Sequence, residues 1–90
     1  MAKAEISWRR VTDDGIRLDV YAQHVGRDWL FFAREKRFDQ WKAVPEPPLE
    51  DWLKLLDAVR RRINRRLLRP EEEGRVETMI RERFPEAKLD

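Results

Sequence analysis

The chain has 90 residues, 41% of them hydrophobic and 42% charged, a length and mixture that fit one small domain with a modest core. Twenty Lys+Arg against eighteen Asp+Glu leave a formal charge of +2, so net charge selects no class of partner. Cysteine is absent, which excludes disulfides, a thiol nucleophile, thiolate zinc sites and iron–sulfur clusters, and fits a reducing compartment. The first residues, Met1 to Glu5, carry no apolar leader core, and no later run reaches the roughly 18 apolar residues of a membrane span. The expectation is a cytoplasmic protein with no membrane contact.

Residues 5–44 read as antiparallel strands, because β-branched and aromatic residues recur with period two between turn signals. Asp14-Gly15 predicts a two-residue type I′ hairpin loop, setting Val11 opposite Leu18, Arg10 opposite Asp19, Arg9 opposite Val20 and Trp8 opposite Tyr21. A second turn at Gly26-Arg27 sets Tyr21 opposite Phe32 and Asp19 opposite Arg34. Together these registers predict a face with an aromatic row, Trp8, Tyr21 and Phe32. Beside it runs a charged row in which Asp19 lies between Arg10 and Arg34. The other face gathers Val11, Leu18, Val20, Ala22, Phe31 and Ala33, interrupted by Arg9 and Glu35. Residues 37–44 predict a fourth, edge-like strand.

Three prolines in Pro45-Glu46-Pro47-Pro48 end the strand region and lead into a helix over 49–69, with Pro48 near its start. Leu49, Trp52, Leu56, Val59, Ile63 and Leu67 follow spacings of three and four and form one stripe, flanked by Leu53 and Leu55. Glu50 and Asp51 in the first turn, and arginines in the last, suit the helix dipole. Pro70 followed by Glu71-Glu72-Glu73 predicts a second helix over 71–84. Its stripe is Val76, Met79, Ile80 and Phe84, and Pro85 stops it before a frayed tail over 85–90. The fold class is thus α+β within a single domain over 1–90: a three- to four-stranded antiparallel meander, then a C-terminal two-helix hairpin packed on one sheet face.

Catalytic side chains are scarce. His24 is the single histidine, and neither a second histidine nor a cysteine is there to complete a zinc site with it. Gly15, Gly26 and Gly74 are too far apart to form a phosphate loop. Asp13-Asp14-Gly15 lacks the alternating acids and terminal glutamate of a calcium loop. The remaining carboxylate clusters fall at turns and helix starts rather than in apolar settings where acid–base pairs arise. The expectation is a protein that is not an enzyme and takes no cofactor or metal.

Two surfaces are candidate sites. The first is Trp8, Tyr21 and Phe32 with Arg10, Arg17 and Arg34 around them. Rings among arginines stack unpaired bases and hold their phosphates; set ahead of that is the reading in which a cross-strand aromatic row stabilises the sheet and is covered by the second helix or by a second copy of the chain. The second comprises Arg61, Arg62, Arg65 and Arg69, which point away from the apolar stripe of a continuous helix. Formal charge is +1 over 1–48, +4 over 49–69 and −3 over 70–90. Acids of a second helix folded back antiparallel would therefore neutralise arginines of the first.

The succession of antiparallel strands, a proline-marked turn and a helix opening with Asp51-Trp52 is similar in layout to the positive-cofactor-4-like single-stranded DNA-binding fold, whose members dimerise through such helices. Here the proline turn is longer, a second helix is added and the strands lack a lysine-rich loop, so no individual residue is carried across and the resemblance only adds weight to nucleic-acid binding. Apolar residues on both sheet faces and four tryptophans exceed what one small monomer hides. The leading expectation is a homodimeric, non-catalytic binding or assembly module for a protein partner. The alternative is a protein that binds single-stranded nucleic acid through the aromatic row and the arginine-rich helix face.

Overall fold

A computed structural model describes residues 5–26 and 28–89. Along them run β1 (Glu5–Val11), β2 (Arg17–Val25), β3 (Asp28–Arg34), β4 (Lys42–Ala43), α1 (Leu49–Asn64) and α2 (Glu71–Arg83). The four strands form one antiparallel sheet in sequence order and the two helices follow it, the α+β succession read from the sequence. The chain divides into two compact units, Met1–Pro47 and Pro48–Asp90.

In the sheet unit the β2–β3 register is the predicted one, with Tyr21 facing Phe32 and Asp19 facing Arg34. Val25 and Asp28 close a two-residue loop in which Gly26, at φ +62°, takes the left-handed conformation; Arg27 lies outside the described residues. The β1–β2 register differs from the expected one by a single residue: Arg9 faces Asp19, Trp8 faces Val20 and Val11 faces Arg17. The cause is the loop. The Thr12 N–H donates to the Ile16 carbonyl (2.8 Å), and the Gly15 N–H donates back to the Thr12 carbonyl (2.9 Å). Three residues, Asp13 to Gly15, therefore form the connection, and of these only Gly15 has positive φ, at +84°. A type I′ loop would also force Asp14 into the left-handed region. A type I turn completed by a left-handed glycine avoids that cost at the expense of one extra residue.

Because side chains alternate with period two, the shift carries all of β1 to the opposite face. Ile6, Trp8 and Arg10 now share a face with Leu18, Val20, Ala22, Phe31 and Ala33, while Arg9 and Val11 leave it. Ile6, Val20, Ala22, Trp29 and Phe31 on this face are buried. Trp8 meets Phe31 edge-on at 6.2 Å, and His24 stacks on its cross-strand neighbour Trp29 at 4.5 Å. The fourth strand is shorter than the predicted 37–44. Asp39 folds residues 36–39 into a turn, its N–H donating to the Lys36 carbonyl and its carboxylate accepting from the Lys36 N–H. Phe38, at the tip of that turn, is 94% exposed.

In the helical unit the carbonyl of Pro48, the N-cap, accepts from the Asp51 and Trp52 N–H groups and starts α1. Trp52, Leu55, Leu56, Ala58 and Val59 are buried. Ala58 joins the predicted stripe, and Leu53, expected on its flank, is exposed. α1 ends at Asn64 rather than at residue 69. Arg66 takes φ +61°, with its N–H donating to the Ile63 carbonyl (2.9 Å) while the Leu67 N–H donates to the Arg62 carbonyl (2.8 Å). This is a Schellman ending with arginine where glycine is usual. Without a glycine to mark the stop, the apolar period ran past it, and Leu67 is exposed off the end of the stripe.

Val76 and Ile80 of α2 are buried, and Met79 and Phe84 are half-buried. The two helices run antiparallel. Arg60 donates to Glu73 Oε2 (2.7 Å) and Glu77 Oε2 (3.0 Å), and the Arg83 guanidinium lies 5.0 Å from the Trp52 ring centre. The two carboxylates raise the Arg60 pKa, the Glu73 hydrogen bond most of all.

Candidate functional site

The sheet face that carries Arg9, Asp19, Tyr21, Phe32 and Arg34 holds the best-organised group of polar and aromatic side chains among the described residues. β2–β3 pairing puts Tyr21 against Phe32, and their rings stack at 4.8 Å with 17° between planes. Trp41, one residue before β4, stands edge-on to Tyr21 at 4.7 Å. The Arg34 guanidinium lies 4.1 Å from the Trp41 ring centre, inside the range of a cation–π contact. Asp19 draws in both neighbouring arginines, Arg9 at 3.3 Å and Arg34 at 3.5 Å. Arg34 is mostly covered, whereas the Arg9 side chain is 88% exposed. Burial raises the pKa of the Tyr21 phenol above its ordinary value, and the Glu5 carboxylate adds to the effect.

Tyr21, Phe32 and Trp41 are each half-buried. One face of Phe32 is taken by Tyr21 and one face of Trp41 by Arg34. The group therefore offers ring edges and guanidinium N–H groups rather than a row of open ring faces. That suits an apolar side chain with a nearby carboxylate better than a run of stacked bases.

Of the sequence-predicted sheet residues, Arg17, Tyr21, Phe32 and Arg34 share this face. Trp8 and Arg10 do not; the one-residue register change places both on the opposite face. Arg9 and Trp41 take part without having been expected to. The signal for Arg9 was the second acid at Asp13, compatible with a three-residue loop; Trp41 required the β3–β4 pairing, Phe32 with Ala43, which no turn motif marks.

The predicted arginine face on a continuous helix is not formed. Arg61 pairs with Asp57 at 3.1 Å and Arg62 is half-buried within α1; Arg65 is its C-cap, and Arg69 lies beyond it in the connection to α2. Neutralisation across the helices does occur, through Arg60 with Glu73 and Glu77, while Glu72 pairs with Arg75 of its own helix at 2.9 Å. A cleft of about 250 Å³ lies at the β3–β4 end of the sheet, with Leu18, Ala33, Glu35, Asp39 and Lys42 in its lining. Among the described residues no group of three or more His, Asp or Glu is placed to hold a metal, and no helix is long and apolar enough to cross a membrane. No family model, curated protein or solved structure matches the chain.

Proposed function

We propose that this protein is a small non-catalytic binding and assembly module, a cytoplasmic homodimer that presents Tyr21, Phe32, Trp41 and Arg34 to a protein partner. The observation that carries this reading is the half-buried aromatic–arginine group on the sheet. Tyr, Trp and Arg dominate the residues on which protein interfaces depend most. Rings already held by one another and by Arg34 lose little further freedom when a partner arrives. The complementary partner surface carries an apolar side chain for the ring edges and a carboxylate for Arg9 or Arg17. The cysteine-free composition supports the compartment.

A second reading, binding of single-stranded nucleic acid, is favoured by the presence of Arg9, Arg17 and Arg34 on the same face as Tyr21 and Phe32. It stands second because the ring faces are partly occupied and α1 ends at Asn64, short of Arg65 and Arg69. Titration with short single-stranded oligonucleotides at low and moderate salt, followed by tryptophan fluorescence, separates the two. Protein binding predicts no response even at low salt. Salt-sensitive quenching that disappears in Trp41→Ala would put nucleic acid first. Light scattering tests the homodimer: a monomer at about 50 µM removes that part of the reading.

A further inference from the structure

The sheet has two edges of very different length. β4 has only two residues, Lys42–Ala43, whereas β1 runs for seven, Glu5–Val11, all of them paired in regular register with β2 and none of them proline. A long, regular edge offers its N–H and C=O groups to a further strand; short edges, prolines and bulges are the usual protections against this. The hairpin defines which residues of β1 face outward. The Thr12 N–H donates to the Ile16 carbonyl, so Thr12 and Ile16 form a hydrogen-bonded pair. By alternation along the antiparallel ladder, Arg10, Trp8 and Ile6 direct their backbone groups toward β2. Ser7 and Arg9 direct theirs to the open edge.

We infer that the homodimer forms by antiparallel pairing of β1 with β1 of a second copy, about a twofold axis through Ser7. The inference rests on the homodimer reading above and specifies its interface. An axis perpendicular to the sheet keeps each face on its own side, so only residues of equal parity can lie opposite one another. Centring the pair on Ser7 sets Glu5 opposite the second copy's Arg9, twice by symmetry. It sets Ile6 opposite the second copy's Trp8, also twice, and leaves Arg10 beyond the paired segment. Centring on Trp8 instead would place Ile6 against Arg10, and centring on Arg9 would oppose two arginines. Charge and apolar matching thus select the Ser7 register, since opposite charges and apolar–aromatic pairs across strands stabilise a sheet while like charges oppose it. The resulting eight-stranded sheet carries two Tyr21–Phe32–Trp41 groups on the same face.

The test compares the full-length wild type with Ser7→Pro by analytical ultracentrifugation over a range of concentrations. Ser7 is exposed, and proline at its outward N–H blocks edge pairing without removing a bond to β2. The inference predicts a wild-type dimer, and a monomeric variant with the wild-type circular dichroism spectrum. A dimeric, folded Ser7→Pro overturns the edge interface and leaves the homodimer standing; a wild type that stays monomeric overturns both. Should Ser7→Pro fail to fold, single cysteines in this cysteine-free chain decide. Ser7→Cys places two Cα atoms about 5.5 Å apart across the axis, within disulfide range. It should cross-link on mild oxidation far more completely than Glu5→Cys or Arg9→Cys, and equal or lesser cross-linking at position 7 contradicts the register. Glu5→Arg should weaken the dimer about fivefold, with recovery on adding Arg9→Glu; no weakening would likewise contradict it.

Discussion

The two units of the chain differ in how many acids their arginines find. In the helical unit, guanidinium groups are matched to acids within the same unit: Arg60 to Glu73 and Glu77, Arg61 to Asp57, Arg75 to Glu72. In the sheet unit, Arg9 and Arg34 share the single carboxylate of Asp19, and Arg34 turns to an aromatic ring for its other contact. A run of arginines in sequence is thus a poor guide to a binding surface, because part of the run is taken up by acids of its own unit, Arg60 by Glu73 and Glu77 and Arg61 by Asp57. The sparser set, ordered by cross-strand pairing, is the one that gathers on a surface with exposed aromatic edges.

The largest perturbation of this contrast is a core substitution in the helical unit. Leu55 is fully buried, so Leu55→Ala should cost about 3 kcal/mol in denaturant unfolding. A cost well below about 1 kcal/mol would mean that α1 is not a core helix. Removing the clip between the helices is a smaller change. Arg60→Ala should destabilise by about 1 kcal/mol, a figure already reduced because all three side chains of the cluster are partly exposed. If 1 M salt left the wild type and the variant equally far apart, the contact would be packing rather than charge.

Arg66→Gly acts in the other direction. Relief of the left-handed conformation should stabilise the protein by up to about 1 kcal/mol, offset in part by the freer unfolded chain. A loss of stability would show that the Arg66 side chain makes a favourable contact that outweighs its backbone strain. The smallest effect belongs to the sheet. The raised Tyr21 pKa means that burial favours the neutral phenol in the folded state, with the Glu5 charge adding to the preference. That contribution is complete below the unfolded value near 10 and is lost as pH rises through the folded value. Wild-type stability should therefore fall more steeply above about pH 10 than that of Tyr21→Phe, in unfolding curves collected across that range.

The helices were legible to within a residue at three of their four ends, because an apolar stripe at spacings of three and four is a local property of the chain. The fourth, the end of α1, was hidden because an arginine occupies the left-handed position where glycine would have announced it. The β2–β3 hairpin was legible for a similar reason: Gly26 stands where a two-residue loop needs positive φ. The β1–β2 hairpin carried the same kind of signal in Asp14-Gly15 and gave a different loop, since one left-handed glycine suits a three-residue connection as well as a two-residue one. That single residue decides the face of every β1 side chain. It moved Trp8 and Arg10 away from the candidate site and brought in Arg9. Trp41 was beyond local reading altogether, because its approach to Tyr21 depends on tertiary placement of the segment before β4.

Self-association of the sheet unit is the claim on which the proposed assembly role depends, and the molar mass of the purified protein tests it most directly. Sedimentation equilibrium from about 1 to 200 µM should show the mass rising from that of an 11.0 kDa chain to twice that value, with the Ser7→Pro variant held at the lower mass throughout. A wild type that remains at the single-chain mass over the whole range would contradict the assembly role.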